Sequence, residues 1–132
     1  MTSKTDNAIF TVSTLHELRA MQRVFREAKF CLEPGDDEIS ASPIVLDLFG
    51  RLMESLIAAE VALEGEVARE RWLEWLTMSG ENREEWKAAI GRARNAKDWH
   101  RWDDSERKEY AKTLLSPFVC SADMLQRFVE AV

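Results

Sequence analysis

The sequence predicts an all-α fold, a bundle of five to six helices around one central hydrophobic helix at about 43–64. Three observations indicate this class. The stretch from Ser42 to Glu64 repeats apolar side chains at helical spacing. Helix-capping signals precede most of the other apolar segments. Only 3 prolines and 5 glycines interrupt 132 residues, and alternation typical of a strand is confined to 8–12.

The central helix has a clear beginning and a wide apolar surface. Ser42 is a good N-cap, and Pro43 suits the first turn, where its missing N–H costs nothing. At about 1.5 Å per residue the helix would be roughly 30 Å long, the width of a small domain. Because apolar side chains cover most of its circumference, we expect neighbouring helices on several sides.

The chain before the central helix contains one further helix between two looser segments. Residues 1–12 are predicted to be a loosely ordered N-terminal segment, with a few apolar side chains that contact the core. Thr14 and Glu17 form a capping box that opens a helix to about Phe30. A Pro-Gly pair and clustered carboxylates predict an acidic loop over 33–41. The N-terminal residues expected to contact the core are Ile9, Phe10 and Val12.

The chain after the central helix contains four more helical segments, each with its own start or stop signal. We expect Gly65 to break or kink the helix, and 98–102 to form a corner. The predicted segments are 66–78, ended by Ser79-Gly80; a helix opened by an Asn82–Glu85 capping box and reaching about Ala96; a helix opened by Asp103 and Glu106 and stopped by Ser116-Pro117; and a last helix from Ser121.

The composition is that of one soluble domain over 1–132. Net charge is −6 and uneven: residues 1–82 carry 8 basic and 15 acidic side chains. This acidic excess argues against wholesale nucleic-acid binding, which needs a basic footprint. No segment has the pattern of a signal peptide or a membrane span, so we expect a cytoplasmic protein and no membrane partner. Cys31 and Cys120 are too few for a disulfide framework and are read as free, buried thiols, with a disulfide or a reactive thiol as the alternative.

The residues that could carry chemistry do not stand in catalytic or cofactor patterns. The two histidines, His16 and His100, have no metal-ligand spacing, and no glycine-rich phosphate loop is present. We therefore expect no catalytic residue, no metal and no cofactor. Asp47 and Glu54 interrupt the central helix, but with Arg51 between them they are read as a solvated, ion-paired strip.

The candidate contact surface lies where tryptophans and basic residues are interleaved. All five tryptophans fall within 72–102. If the helix after Asn82 continues far enough, the basic side chains of 83–101 share one face. We expect the first three tryptophans to pack in the core and Trp99 and Trp102 to be partly exposed. Trp and Arg are the residues most enriched at binding hot spots. The predicted partner-binding residues are Arg83, Lys87, Arg94, Lys97, Trp99, His100, Arg101 and Trp102, with Asp36, Asp37 and Glu38 of the acidic loop.

These features favour a small, acidic, non-enzymatic interaction module that binds a protein partner and modulates or inhibits it. Immunity proteins, antitoxins and phage anti-defence inhibitors are of this type, in bacteria or their phages. One alternative is a helical protein that associates with nucleic acid through the 83–101 basic and tryptophan face. Another is an enzyme or small-ligand binder with a pocket between helices. Assembly into a homodimer is compatible with each of these hypotheses.

Overall fold

The described part of the chain, residues 9–81 and 83–132 of a computed structural model, is α-helical and confirms the predicted fold class. Within these ranges no strand forms, including at residues 9–12, and Thr77 and Val119 make one isolated bridge. Short 3-10 turns occupy Ile39–Ala41 and Trp99–Arg101. The helices are α1 (Leu15–Phe30), α2 (Pro43–Glu64), α3 (Glu66–Leu76), α4 (Glu84–Arg94), α5 (Asp104–Leu115) and α6 (Ala122–Ala131).

The predicted helix caps form in four helices. At α1 the amide of Glu17 donates to the Thr14 hydroxyl at 3.1 Å, and the amide of Thr14 donates back to the Glu17 carboxylate at 3.0 Å. The same reciprocal pair forms at the start of α5. Single serine caps begin α2 and α6. These side chains bind backbone N–H groups that would otherwise lack a partner in the first turn.

Two predicted helix boundaries are wrong. Helix α3 ends at Leu76, two residues early, because the Met78 amide donates to the Val119 carbonyl at 2.8 Å instead of continuing the helix. Helix α4 begins at Glu84 with Arg83 at the N-cap position and no side-chain cap, and it ends at Arg94. Asn82, the predicted cap, lies outside the described residues.

Gly65 divides the long apolar segment into α2 and α3, as predicted. Its φ of 88° and ψ of −175° belong to a region of backbone space that essentially only glycine occupies. A Cβ at this position would meet no neighbouring atom within 4 Å. The constraint therefore comes from the backbone conformation and not from packing.

We expect Gly65→Ala to lower the free energy of unfolding by about 1 kcal/mol, the lower end of the cost of such a conformation. Urea denaturation followed by circular dichroism measures this. Gly50→Ala, within α2 and also without a close Cβ neighbour, is the matched control. Because alanine is favoured over glycine in a helix, the control should be stabilised or unchanged. A stabilised Gly65→Ala would show that the junction adopts another conformation.

The core joins two groups of helices. Helix α2 packs against α1 and α3, α5 packs against α4 and α6, and α1 contacts α4. The Trp86 ring meets Phe128 at 5.2 Å between centroids, and Phe30 meets Phe118 at 5.5 Å. Of the described helices, none is long and apolar enough to cross a membrane. The largest fully buried apolar side chains are Phe49, Leu56, Leu114, Leu115 and Phe128.

The sequence predicts that α2 is covered on several sides, but only one stripe of the helix is buried. Phe49, Met53, Leu56 and Ile57 are buried, while Ile44 and Leu63 are about 70% exposed. The cause is that the principal neighbours of α2 are α1, α3 and the 39–41 turn. The expectation that Ile9 and Phe10 contact the core is also wrong, because both side chains are exposed.

Candidate functional site

The single basic face predicted over 83–101 does not form, because α4 ends at Arg94. The Asn95 amide donates to the Gly91 and Arg92 carbonyls, and the chain then turns through the 3-10 turn that begins at Trp99. The predicted corner at 98–102 is therefore present. The basic residues on either side of it lie on different elements and do not share one helical face.

Arg83 faces inward. Its Nη1 donates to the Trp75 carbonyl at 2.7 Å, and its guanidinium lies 4.4 Å from the Phe118 ring centroid. It also pairs with Glu85 at 3.4 Å. These contacts occupy the side chain within the fold, so Arg83 ties α3 to α4 and offers little to a partner.

Trp99 is only 4% exposed, so the prediction that it is partly exposed is wrong. The 3-10 turn places its ring among Trp102, Tyr110 and Phe128, with centroids 6.4 to 6.5 Å apart. Trp102 is half-buried, as predicted. Among the other tryptophans, Trp86 is buried, and the two tryptophans of α3 pack against the core, as predicted.

The other predicted contact residues are exposed but scattered. Lys87 pairs with Glu84 at 3.4 Å, Arg101 pairs with Asp98 at 3.4 Å, and Arg94 donates to the Ala131 carbonyl at 2.8 Å. These exposed pairs are worth little in stability. Lys97 and His100 are exposed on the corner, and Asp36, Asp37 and Glu38 are exposed on the acidic loop.

An apolar groove of about 460 Å³ lies between α1 and α2, and we call it the α1–α2 groove. Phe25 meets the buried Phe49 ring at 5.4 Å between centroids at this helix pair. Residues from both helices and from the segment before α1 line the groove. They are Phe10, Val12, Ser13, Leu18, Met21, Phe25, Leu48, Arg51, Leu52 and Ser55.

The charge around the α1–α2 groove is close to balanced. Helices α1 and α2 together carry 5 Lys or Arg and 6 Asp or Glu, a balance of −1. At the groove itself Arg51 is held by Asp47 at 3.1 Å, and both side chains are exposed. The solvated, ion-paired strip predicted on the central helix is therefore present at these two residues.

Glu60 forms a buried polar centre that the sequence pattern does not reveal. Its carboxylate is 4% exposed and accepts from Arg19 Nε at 3.1 Å and from the Trp72 indole N–H. Arg71 Nη2 lies 3.6 Å away. One carboxylate on α2 thus ties together α1, α2 and α3.

Glu85 is the second buried carboxylate. Arg26 Nε lies at 3.2 Å and Arg83 Nη2 at 3.4 Å. Burial pushes the pKa of Glu85 up, but its backbone N–H and the two guanidinium groups outweigh burial and hold the pKa below 4.5. Glu85 therefore stays ionised at neutral pH and joins α1 to α4.

Two cations, the buried Lys29 and the half-buried Arg92, bind backbone carbonyls at helix C-termini. Lys29 is 1% exposed, and its Nζ donates to the Thr113 and Leu114 carbonyls of α5 at 3.0 and 2.7 Å. Arg92 Nη2 donates to the Cys31 carbonyl, just past α1, at 2.6 Å. A cation at this position is favoured by the helix dipole. Burial, and then the charge of Arg92, lower the pKa of Lys29 to about 7.

The described residues contain no group of three or more His, Cys, Asp or Glu side chains placed to hold a metal ion. Cys31 and Cys120 are free and half-buried. Burial raises the pKa of the Cys120 thiol to about 11, which keeps it protonated at neutral pH. Comparison with protein-family models, curated proteins and solved structures finds no match to this chain.

Proposed function

We propose that this protein is a non-enzymatic interaction module that holds an amphipathic helix of a protein partner in the α1–α2 groove. The observation that carries the proposal is the groove itself, an apolar channel of about 460 Å³ that the described residues leave open. A concave, mostly apolar opening of this size is typical of binding sites. Helix-in-groove binding is a recurring mode of recognition that uses such a channel.

The spacing of the groove walls supports a helix as the occupant. On α1, Leu18, Met21 and Phe25 follow the i, i+3, i+7 pattern, and α2 contributes Leu48, Leu52 and Ser55 at the same spacing of three and four residues. Seven residues of helix span roughly 10 Å, about two turns. The walls therefore match two turns of a partner helix with an apolar face.

The groove does not select its partner by charge. Among the described residues Arg51 is its only charged lining residue, and Asp47 pairs with it. The partner helix is therefore expected to supply an apolar face. Occupying a helix that the partner needs for its own activity would inhibit it, which is the action of an immunity protein, an antitoxin or a phage anti-defence inhibitor.

The test compares two glutamate substitutions on α2. We expect Leu48→Glu to weaken binding of the partner by at least about tenfold, because it places a charge on the apolar groove wall. Leu63→Glu is the matched control, since Leu63 is exposed on the same helix and does not line the groove. A photo-crosslinker at position 48 captures the partner from the native host, and titration with the purified partner measures each variant. Circular dichroism checks that both variants fold.

Three outcomes would contradict the proposal. Equal binding by wild type and Leu48→Glu would place the partner elsewhere. A dimer seen by light scattering that Leu48→Glu dissociates would show that a second copy fills the groove. Salt-sensitive binding of oligonucleotides that is lost when Lys87, Arg94 and Arg101 are reversed in charge, with no protein crosslinked at position 48, would favour the nucleic-acid hypothesis.

A further inference from the structure

An open cleft lies between the corner at 98–102 and the outer face of α5, and we call it the α5 cleft. Its volume is about 420 Å³, within the roughly 300 to 1,000 Å³ that is usual for small-ligand sites. The four lining residues from 106 to 113 follow the i, i+3, i+4, i+7 pattern, so they share one face of α5. The lining residues are Trp102, Ser105, Glu106, Glu109, Tyr110 and Thr113.

Two aromatic rings form one wall of the α5 cleft. The ring centroids of Trp102 and Tyr110 lie 4.9 Å apart with their planes tilted by 51°, and both side chains are half-buried. The centroid of the buried Trp99 ring lies 6.4 Å from each of them, so the pair is held from behind. Within the described ranges the cation–π contacts involve other rings. The negative faces of this pair are therefore free of a cation from the described chain.

The charged lining groups of the α5 cleft are both carboxylates. Glu106 accepts a hydrogen bond from the Asp103 amide at 3.2 Å, and Glu109 pairs with Lys112 at 3.1 Å. Both carboxylates are exposed, and Lys112 does not line the cleft. The cleft therefore places negative charge beside aromatic faces, and no lining residue supplies the opposite charge.

We propose that the α5 cleft binds a trimethylammonium group, with its methyl groups against Trp102 and Tyr110 and its charge facing Glu106 and Glu109. Aromatic faces are the usual recognition element for quaternary ammonium ligands. A lysine or arginine head brings three or five N–H donors that need acceptors, whereas a trimethylammonium has none. It therefore leaves undisturbed the hydrogen bonds that the two carboxylates already accept. This site shares no lining residue with the α1–α2 groove and does not depend on the partner proposed above.

The test adds choline chloride to the folded protein and follows the Trp102 indole N–H signal by NMR. We expect a saturable shift that sodium chloride at matched ionic strength does not produce. The neutral alcohol in which carbon replaces the choline nitrogen has the same shape and is the matched control. It should bind at least about threefold more weakly, because it lacks the cation–π attraction. A shift that stays linear, or equal binding of the alcohol, would overturn the proposal.

Substitutions with opposite expected signs make the test sharper. Tyr110→Leu should weaken choline binding by at least about threefold, because it removes an aromatic face and keeps an apolar side chain. Glu106→Gln should weaken it by about twofold or more, because it removes a charge while glutamine can still cap the helix. Lys112→Gln should strengthen binding, because it removes the cation that pairs with a cleft carboxylate. Asp104→Asn, an exposed acid of α5 outside the cleft, should leave the Kd unchanged.

Tyr110 packs against the core, so its variant could fail to fold. In that event the exposed positions decide, because Glu106→Gln and Lys112→Gln should move the Kd in opposite directions. A Kd that neither substitution changes would overturn the proposal, since the bound group would then be indifferent to the charge of the cleft.

A peptide with one trimethyllysine distinguishes a partner's side chain from a free small molecule as the source of the ligand. Binding of this peptide at least as tight as that of choline would identify a side chain. Weaker binding of the peptide than of choline would identify a free ligand, and both outcomes support the site. The same peptide with unmodified lysine is the control, and binding equal to that of the trimethylated form would overturn the assignment to an alkylated ammonium.

Discussion

Glu60→Ala is expected to lower the free energy of unfolding by about 2 to 3 kcal/mol. This is among the largest losses expected from removing one charged side chain of this protein. The substitution leaves the Trp72 indole N–H and the Arg19 guanidinium without their shared acceptor. The cost stays below that of a fully buried ion pair because Arg19 and Arg71 are about half exposed and water can solvate them. Urea denaturation at neutral pH measures the change.

Glu64→Ala is the matched control for Glu60→Ala. Glu64 lies on the same helix and binds the same Arg71, at 2.7 Å, but its side chain is 41% exposed. Water screens such an exposed pair, so the control should lose clearly less unfolding free energy than Glu60→Ala. Equal losses in the two variants would mean that Glu60 is solvated and does not tie the three helices together.

The unfolding free energy of the wild-type protein should rise by about 2 kcal/mol more than that of Lys29→Met between pH 6.5 and 8.5. Burial, and secondly the charge of Arg92, lower the pKa of Lys29 from 10.5 to about 7 in the folded protein. Over this range the unfolded chain keeps the proton and the folded protein releases it. Because the unfolded state then binds more protons, stability increases with pH. Below pH 7 the folded protein keeps Lys29 protonated, so the full free-energy cost of burying its charge applies.

Denaturation curves of both proteins at several pH values test the Lys29 assignment. Lys87→Met removes an exposed lysine and should keep the full pH dependence of the wild type. The Cys120 thiol, with its pKa raised to about 11, titrates above the range in the folded state. If Lys29→Met gains stability with pH as steeply as the wild type, another group is responsible for the dependence.

The features that the sequence predicts well are those that depend on near neighbours in the chain. Thr14 with Glu17, and Asp103 with Glu106, cap their helices because each pair lies within one helical turn. Gly65 breaks the apolar segment through its own backbone freedom. These local signals are sufficient to predict the all-α class and most helix boundaries.

The candidate sites depend on contacts between distant segments, which a single sequence does not contain. Nothing near Glu60 or Lys29 in the chain shows that these charges are buried, because their partners Arg19 and Leu114 come from other helices. Partial exposure of Trp99 is predicted because it stands beside charged residues in a corner, and that local pattern does not show the contacts that bury it. The sequence does not indicate the α1–α2 groove, because the wide apolar arc on α2 predicts neighbouring helices on several sides.

The bridge between Thr77 and Val119 has a consequence for how the polypeptide can be divided. Two backbone hydrogen bonds of 2.8 Å form it, from Met78 to Val119 and from Val119 to Leu76. If the chain is cut anywhere between residues 78 and 119, the donor and the acceptor of each bond lie on different fragments. The end of α3 and the approach to α6 are therefore joined only in the intact polypeptide or in a reassembled pair of fragments.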